Sequence, residues 1–593
     1  MKIQSLCINN FRGIKKMNWV VDGNMICLIG PGDSTKSTIL LALEYLFYPS
    51  PILPISDLDF YNLETNNPIE IKATITNLPN VLESDEKFGL YLGFWDPTKK
   101  QICKEQENGN FLPALQLRLS IKSDLEPEWF IDNLQSEEED SLRIGVTDRR
   151  MLGVAKVGQY ADVDLTWARN SALSRLTQKD DLSKIPELLA NAERKMNEAV
   201  QHMDLSMLDQ AIADVKNISS EFGIEASLRA NVNRMQVNLR QGAIALHDGN
   251  LPFALRGAGS RRLLAMAIHK SSVPEGAVIL IDEIESNLEP YRLRHLIRQI
   301  RPKPNDNHQV IFTTHSPIAV VESSAQELHV VHTRDGNTTI VPVTKVPDVQ
   351  GIIRSIPEAF LCRKIIVCEG KTEAGFLVAL DELFWSAKHQ IHKGSFRYQT
   401  MAEAGVVPIE SPKSGGTEAP KYAVALAELG YTVAYLGDSD CRLSPTQEEM
   451  IQIGVEKVFL WPDKVSIEER LCLDLPWEAI KKIVNLAYEL NGEDKSWNDI
   501  KEFVKTNTPM GESLPKNFEH LCEMRDKNDI RKIIGKVAKG YRQGEKKKGE
   551  WFKRMDKGKK LGELVSRYID QIRETPTYYI LAELENWAYD SGR

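Results

Sequence analysis

Five apolar runs in this chain stop abruptly at a glycine or a polar residue: "GNMICLIG", "GAVILIDEIESNLEP", "HQVIFTTHSPIAVV", "KIIVCEGKTEAGFL" and "YTVAYLGDSDCR". Short continuous apolar runs are strands buried on both faces, and such strands belong to parallel sheets covered by helices. "STILLALEYLF" after the first run and "AGFLVALDELF" after the fourth have helical apolar spacing. Strands alternating with helices predict an α/β fold. In that architecture the carboxyl ends of the strands are where sites gather.

The first half begins with alternating strands, "KIQSLCINNFRG" and later "PIEIKATITNLP". Residues 180–221 contain no glycine and have heptad-like apolar spacing. They read as a helical hairpin inserted between two halves of one domain, with ordinary surface helices as the competing reading. "VTKVPDVQGIIRSIPEAFLCR" reads as a linker. The expected division is one α/β domain over 1–165 and 223–345, a helical insertion and dimerisation arm over 166–222, and a second α/β domain with a helical C-terminal region over 346–593. With 593 residues, several domains are expected. No apolar run is long enough to suggest a membrane span, and "MKIQSLCINNFRGIKK" lacks the apolar core of a signal peptide. The eight cysteines form no C-x-x-C pair, which argues against a zinc knuckle or a disulfide framework and for a reducing cytoplasm. At a net charge of −9, a nucleic-acid surface has to be a local patch.

The first run leads into "GPGDSTKST", a phosphate-cradling loop at a helix start. Gly30, Asp33, Lys36, Ser37 and Thr38 are its candidate nucleotide ligands, with Lys36 on phosphate and Ser37 on Mg²⁺. Thr35 stands where the usual loop has its second glycine. A β-branched residue there is expected to crowd the β-phosphate and weaken binding; alternatively, its hydroxyl contacts phosphate. "AVILIDEIE" adds Asp282 for the Mg²⁺ shell and Glu283 as the base that polarises water. His315 of "TTHSP" ends the next strand as a γ-phosphate sensor. Gly257, Gly259 and Ser260 of "LRGAGSRRLLAMAI" precede a helix and resemble a degenerate signature loop.

Together "INNFRGI", the phosphate loop, "GAGSRR", "LIDEIESNLEP" and "TTHSP" resemble the ABC-type ATPase head of the SMC, RecF and Rad50 group. That resemblance implies that Arg12 reaches the nucleotide. It also implies ATP hydrolysis between two copies, hence a homodimer or higher homo-oligomer through the heads and the helical insertion.

Two later runs end in acids: Glu369 with Glu373 four residues on, and Asp438 with Asp440 two residues on. Carboxylates converging on one sheet edge repel unless they bind a divalent cation, and hard oxygen ligands favour Mg²⁺ or Mn²⁺. The pattern looks like a Toprim domain, a Rossmann-like fold. Its fusion to an SMC-like ATPase resembles the OLD (overcoming lysogenisation defect) family of ATP-dependent endonucleases over most of the chain. The family pattern asks for one more acid and a lysine. "WPDKVSIEERLC" offers Glu468, with Asp463 and Glu469 as rivals, and "GEWFKRMDKGKKLGEL" offers Lys553, with Lys557, Lys559 and Lys560 as rivals. Residues 527–560 are densely basic, with Tyr541, Trp551 and Phe552 interleaved, and read as a phosphate-binding stripe for DNA.

The resemblance implies an ATP-regulated, metal-dependent DNA endonuclease in bacterial antiviral defence. It further implies a partner such as a helicase or a reverse transcriptase with its DNA. The competing expectation is an SMC/RecF-like DNA clamp in repair whose Toprim domain does not cut. Primase and topoisomerase fit less well, lacking a zinc-binding cysteine cluster and a DNA-gate domain respectively.

Overall fold

The computed structural model describes the chain except for residues 105–110, 136–139, 158–161, 169–170, 178, 202–243, 273–275, 304–307, 346–348, 392–397, 412–417, 508–513, 544–545 and 591–593. It divides into two compact units. One comprises 1–8, 20–25 and 39–313; the other comprises 9–19, 26–38 and 314–593.

In the first unit, Val154–Val157, Val278–Ile281 and Gln309–Thr313 form a parallel ladder. Every residue of the last two strands is buried, as continuous apolar runs require. A second, antiparallel region pairs Ile69–Thr76 with Leu112–Ile121, which also pairs with Gly93–Asp96 and Pro127–Asp132. The helix Lys179–Gln201 lies within the segment read as a hairpin and carries Pro186 in its interior. The rest of that expected hairpin lies outside the described residues.

In the second unit, Leu328–Arg334 pairs in parallel with the strand Met25–Ile29 and antiparallel with Asn337–Pro342. A separate parallel sheet has the order Val406–Glu410, Lys364–Cys368, Thr432–Gly437, Lys457–Leu460. The chain leaves Lys364–Cys368 to one side and returns on the other, so the crevice between it and Thr432–Gly437 is the topological switch point. Those two strands are the ones that run into Glu369 and Asp438. One apolar core joins this sheet to the C-terminal helices, among them Trp477–Asn491, Lys527–Lys539, Met555–Val565 and Pro576–Tyr589.

The helix Lys371–Leu380 meets Met555–Val565 backbone to backbone. A Cβ on Gly375 would lie 2.2 Å from the Met555 carbonyl oxygen, and one on Gly558 would lie 2.5 Å from that of Thr372. Only glycine permits this approach.

Two expectations need correction. The expected linker contains the helix Val349–Ser355 and buries Ile352, Ile353 and Phe360, so it packs as part of the fold. Trp551 and Phe552 are 1% and 0% exposed and belong to the core, so they offer no stacking surface to bases. Their place beside lysines in the sequence misled because the basic side chains and the rings leave the backbone in different directions. No described helix is long and apolar enough to cross a membrane.

Candidate functional site

The expected nucleotide ligands fall in both units. In the second unit the loop turns sharply. Gly30 has φ +134, Asp33 +58 and Thr35 +65. At Gly30 a Cβ would stand 2.6 Å from the Val331 carbonyl oxygen, so glycine is required by both space and backbone angle. Thr35 adopts the left-handed conformation that the usual glycine takes without strain. Its hydroxyl donates to the Ser34 carbonyl (2.7 Å) and lies 3.0 Å from Thr333 Oγ1 and 3.3 Å from Thr338 Oγ1. Those two threonines are themselves 2.9 Å apart. The hydroxyl is thus committed to a three-threonine cluster. The Thr35 methyl lies close to Gly13, where a Cβ would be 3.1 Å from Thr35 Cγ2. Arg12, before that glycine, is an exposed residue at φ +49.

Lys36 opens the helix Lys36–Leu46 and is buried. Its ammonium folds back on the loop, donating to the carbonyls of Gly30 (3.1 Å) and Pro31 (2.8 Å) and to Ser34 Oγ (3.0 Å). The same loop backbone that would surround a phosphate holds the lysine. Ser37 and His315 are exposed, while Thr38 is half-buried. His315 follows Thr314, whose hydroxyl accepts from the Ser316 N–H (3.0 Å).

The strand Leu328–Arg334 serves two neighbours within this unit. Val331 backs Gly30 and Thr333 holds Thr35. His332 between them faces Tyr431, ring centroids 4.9 Å apart, and a Cβ on Gly430 would come within 2.6 Å of the imidazole. Burial, with Arg334 and Lys36 adding to it, lowers the His332 pKa to about 4 and keeps the ring neutral.

In the first unit, Asp282 follows the strand Val278–Ile281 and accepts from Thr313 Oγ1 (2.7 Å). Thr313 Oγ1 in turn accepts from the Glu283 N–H (2.8 Å). Glu283 sits at φ +45, and Ser286 Oγ donates to its carboxylate (3.0 Å). Both acids are thereby oriented by neutral hydroxyls. Arg262, 1% exposed, donates to the carbonyls of Asp282 and Glu283, 2.8 Å each. It ties the helix Ala258–Ser272 to the acid turn. Sequence reasoning did not single out Arg262, although it lies in the quoted "GAGSRR". That helix begins at Ala258, so Gly259 and Ser260 lie in its first turn rather than before it. A Cβ on Gly259 would meet the Asn287 carbonyl oxygen at 2.5 Å, and Ser260 Oγ accepts from Arg292 (3.1 Å). Packing accounts for this glycine. Gly257 is exposed with no neighbour near its Cβ position.

The acids of the second unit gather at the switch point. The Asp438 N–H donates to Glu369 Oε2 (2.8 Å). Asp438 Oδ1 accepts from the Ile467 N–H (2.9 Å) at the start of the helix Ile467–Asp474. Glu468, 2% exposed on that helix, has both carboxylate oxygens buried with no hydrogen-bond partner. Burial raises the pKa of Glu373 to about 7, with Glu468 reinforcing it. Burial also raises Glu369, and it raises Asp438 well above the usual carboxylate range, where Glu373, Glu468 and Glu369 add to the effect. Burial pulls Lys553 down, but Glu468, Glu373, Asp438 and Glu369 outweigh it and leave it raised. By surface area Lys553 is exposed, so solvent screens part of that attraction.

The rivals are occupied elsewhere. Asp463 pairs with Arg470 (2.6 Å), and Glu469 caps its own helix and pairs with Lys539 (3.3 Å). Lys557 donates to Asn491, Lys559 pairs with Glu382 and Lys560 with Glu563. Asp440 is held by Lys539. Thus Glu369, Glu373, Asp438, Glu468 and Lys553 are brought together, with Asp440 drawn aside by its own lysine. Among the described residues, no three His, Cys, Asp or Glu side chains stand in metal-binding geometry. The acids influence one another electrostatically without converging on one point. Their donor set of buried carboxylates, with two orphaned oxygens on Glu468, is nonetheless the chemistry that a hard divalent cation requires.

Two family models match the first part of the chain: "AAA ATPase domain" over residues 1–150, and "AAA domain, putative AbiEii toxin, Type IV TA system" over residues 99–322. No curated protein matches the sequence. Similar solved structures include an Smc head bound to the C-winged helix domain of ScpA, at 18% identity and TM-score 0.33, covering 57% of this chain and 97% of that one. An Smc head domain derived from Pyrococcus furiosus, bound to the C-terminal domain of ScpA, has 13% identity and TM-score 0.31, covering 60% and 99%. The SMC head domain from Thermotoga maritima has 15% identity and TM-score 0.27, covering 58% and 99%. Likenesses this faint add nothing to the fold described above. The two family matches, with the phosphate loop and the acid turn, support ATP hydrolysis by the first 322 residues.

Proposed function

We propose that this protein is an ATP-regulated, divalent-metal-dependent DNA endonuclease of the OLD type. Its second α/β domain is read as a Toprim nuclease. The carrying observation is Glu468: a carboxylate buried with both oxygens unpartnered, among Glu369, Glu373 and Asp438 at a sheet switch point. A buried unpaired acid is costly, so such an arrangement persists where a ligand completes it. Glu369, Glu373, Asp438 and Glu468 are the residues that would hold Mg²⁺ or Mn²⁺. When bound, these cations supply an activated water and stabilise the attacking and leaving oxygens of a phosphodiester.

The chain's own residues do the rest. The Ile467 N–H and the Glu369 carboxylate fix Asp438 at its side chain and its backbone. Thr372 Oγ1 donates to the Phe552 carbonyl (3.0 Å), anchoring the segment that carries Lys553. Lys553 neutralises charge on the scissile phosphate. In the ATPase, Lys36 would exchange its loop carbonyls for phosphate oxygens, Asp282 would hold Mg²⁺ and Glu283 would orient water. A homodimer through the ATPase heads, DNA as substrate and a role in bacterial antiviral defence complete the reading. The toxin–antitoxin wording of one matched family is in keeping with that role.

The clamp reading, in which the acid site binds without cutting, draws on one observation: the acids do not meet in metal-binding geometry. Purified protein incubated with supercoiled plasmid and Mn²⁺, with and without ATP, separates the two. Nicking or linearisation is expected, and Glu468→Gln should slow it by about a hundredfold or more. Binding of plasmid with no cleavage under any nucleotide condition would favour the clamp.

A further inference from the structure

Behind the acids lies a second group with an unmet hydrogen bond. Tyr435 is fully buried on the strand Thr432–Gly437, three residues before Asp438, and its hydroxyl has no hydrogen-bond partner. Residues two apart on a strand share a face, so Tyr435 and Gly437 point the same way. A Cβ on Gly437 would fall 2.2 Å from the Tyr435 hydroxyl oxygen and 2.6 Å from Cζ. The glycine therefore makes the space through which the phenol reaches toward the acid-bearing end of the strand. The groups that bear on the hydroxyl are Glu369, Asp438 and Glu373, which after burial are the largest influences raising its pKa. The protonated phenol can donate a hydrogen bond, and in its buried position it has no acceptor. Within the same acid group, the Glu468 carboxylate has no hydrogen-bond donor.

Orphaned polar groups of both kinds in one buried neighbourhood are costly separately, and hydrophobic replacement of the tyrosine would remove part of that cost. We propose that Tyr435 is a positioning residue of the acid site, its hydroxyl donating to a carboxylate of the Glu369–Glu373–Asp438 group when divalent cations draw those acids into a shared geometry. This inference rests on the metal-dependent reading of the site. A donor to a metal-bound carboxylate orients it and leaves its other oxygen for the cation, which is the role outer hydrogen-bond partners play at metal centres.

The test is Tyr435→Phe in the full chain, which removes one oxygen and keeps the ring. Mn²⁺ alone is titrated calorimetrically against wild type and variant, and the chelated proteins are melted in parallel. The expected result is Mn²⁺ binding weakened about ten- to a hundredfold, with a melting temperature of the chelated variant equal to or above that of wild type. Equal Mn²⁺ affinity in the two proteins would overturn the inference. So would a lower melting temperature of the chelated variant, because a structural hydroxyl rather than a positioning one would explain it. Wild-type protein that takes up no Mn²⁺ at any concentration would remove the metal reading itself, and the role of Tyr435 with it. Mn²⁺ binding by wild type separates the two failures: if wild type and Tyr435→Phe bind equally well, the metal reading stands and only the role of Tyr435 falls.

Discussion

At Thr35, what looked like a steric question is also a backbone one. The position is left-handed, and a β-branched residue there costs about 1–2 kcal/mol that glycine does not incur. The threonine tolerates the conformation because Ser34, Thr333 and Thr338 hold its hydroxyl. Thr35→Gly should therefore tighten ATP binding or raise turnover by roughly tenfold, read by titrating nucleotide against both proteins. Weaker binding in Thr35→Gly but not in Thr35→Ser would instead make the hydroxyl a ligand. Glu373 supports a pH prediction. Its pKa is raised from 4.5 to about 7, so between those values the folded chain keeps a proton that the unfolded chain has released. Stability of chelated protein is then greatest below the lower value and falls as pH rises through the upper one. Thermal melts from pH 4.5 to 8 should show this decline, and Glu373→Gln should flatten it. A melting temperature that climbs across the range in wild type would contradict the assignment. Neither the left-handed angle nor the threonine cluster was legible beforehand, because Thr333 and Thr338 lie some three hundred residues from the loop.

The helix pair Lys371–Leu380 and Met555–Val565 shows how elements set the acid site. Glu373 is carried by the first helix, and Lys553 lies two residues before the second. Their spacing depends on glycines that let the backbones touch. A Cβ at Gly558 meets the carbonyl oxygen, Cα and carbonyl carbon of Thr372 at 2.5, 2.9 and 3.1 Å, all backbone atoms that cannot swing aside. Gly558→Ala should destabilise the protein by about 1–3 kcal/mol and reduce cleavage by displacing Lys553. An unchanged melting temperature would show that the helices separate at no cost. The strand–turn–helix elements were legible because continuous apolar runs ending in acids have few other uses. The antiparallel strands Leu112–Ile121 and Pro127–Asp132 were not, since pairing between distant strands leaves no local signature. The packed segment Val349–Ser355 was mistaken for a linker because two prolines and a glycine drew attention away from its buried isoleucines.

For the whole molecule, the proposed division of labour predicts separable activities. Glu283→Gln keeps the hydrogen-bonding shape of the side chain but removes its charge, so it should bind ATP and hydrolyse it about a hundredfold more slowly. Single-turnover hydrolysis measures this, and an unaltered rate would remove Glu283 from its role. The direction of any change in plasmid cutting would then report which nucleotide state licenses the nuclease. The candidate acids were legible as strand-end residues, yet the choice of Glu468 over Glu469 needed the fold: adjacent residues on a helix face differently, and only the structure tells which is buried. The strand Leu328–Arg334 carries a longer consequence. Its odd-numbered residues support the phosphate loop, while His332 fills the space left by Gly430, just before the amino end of the acid-bearing strand Thr432–Gly437. The choice of side chain on this strand is therefore not independent of the backbone that leads into Thr432–Gly437. Whatever stands at 332 must fit what stands at 430, and a substitution at either position is tolerated only with a matching one at the other.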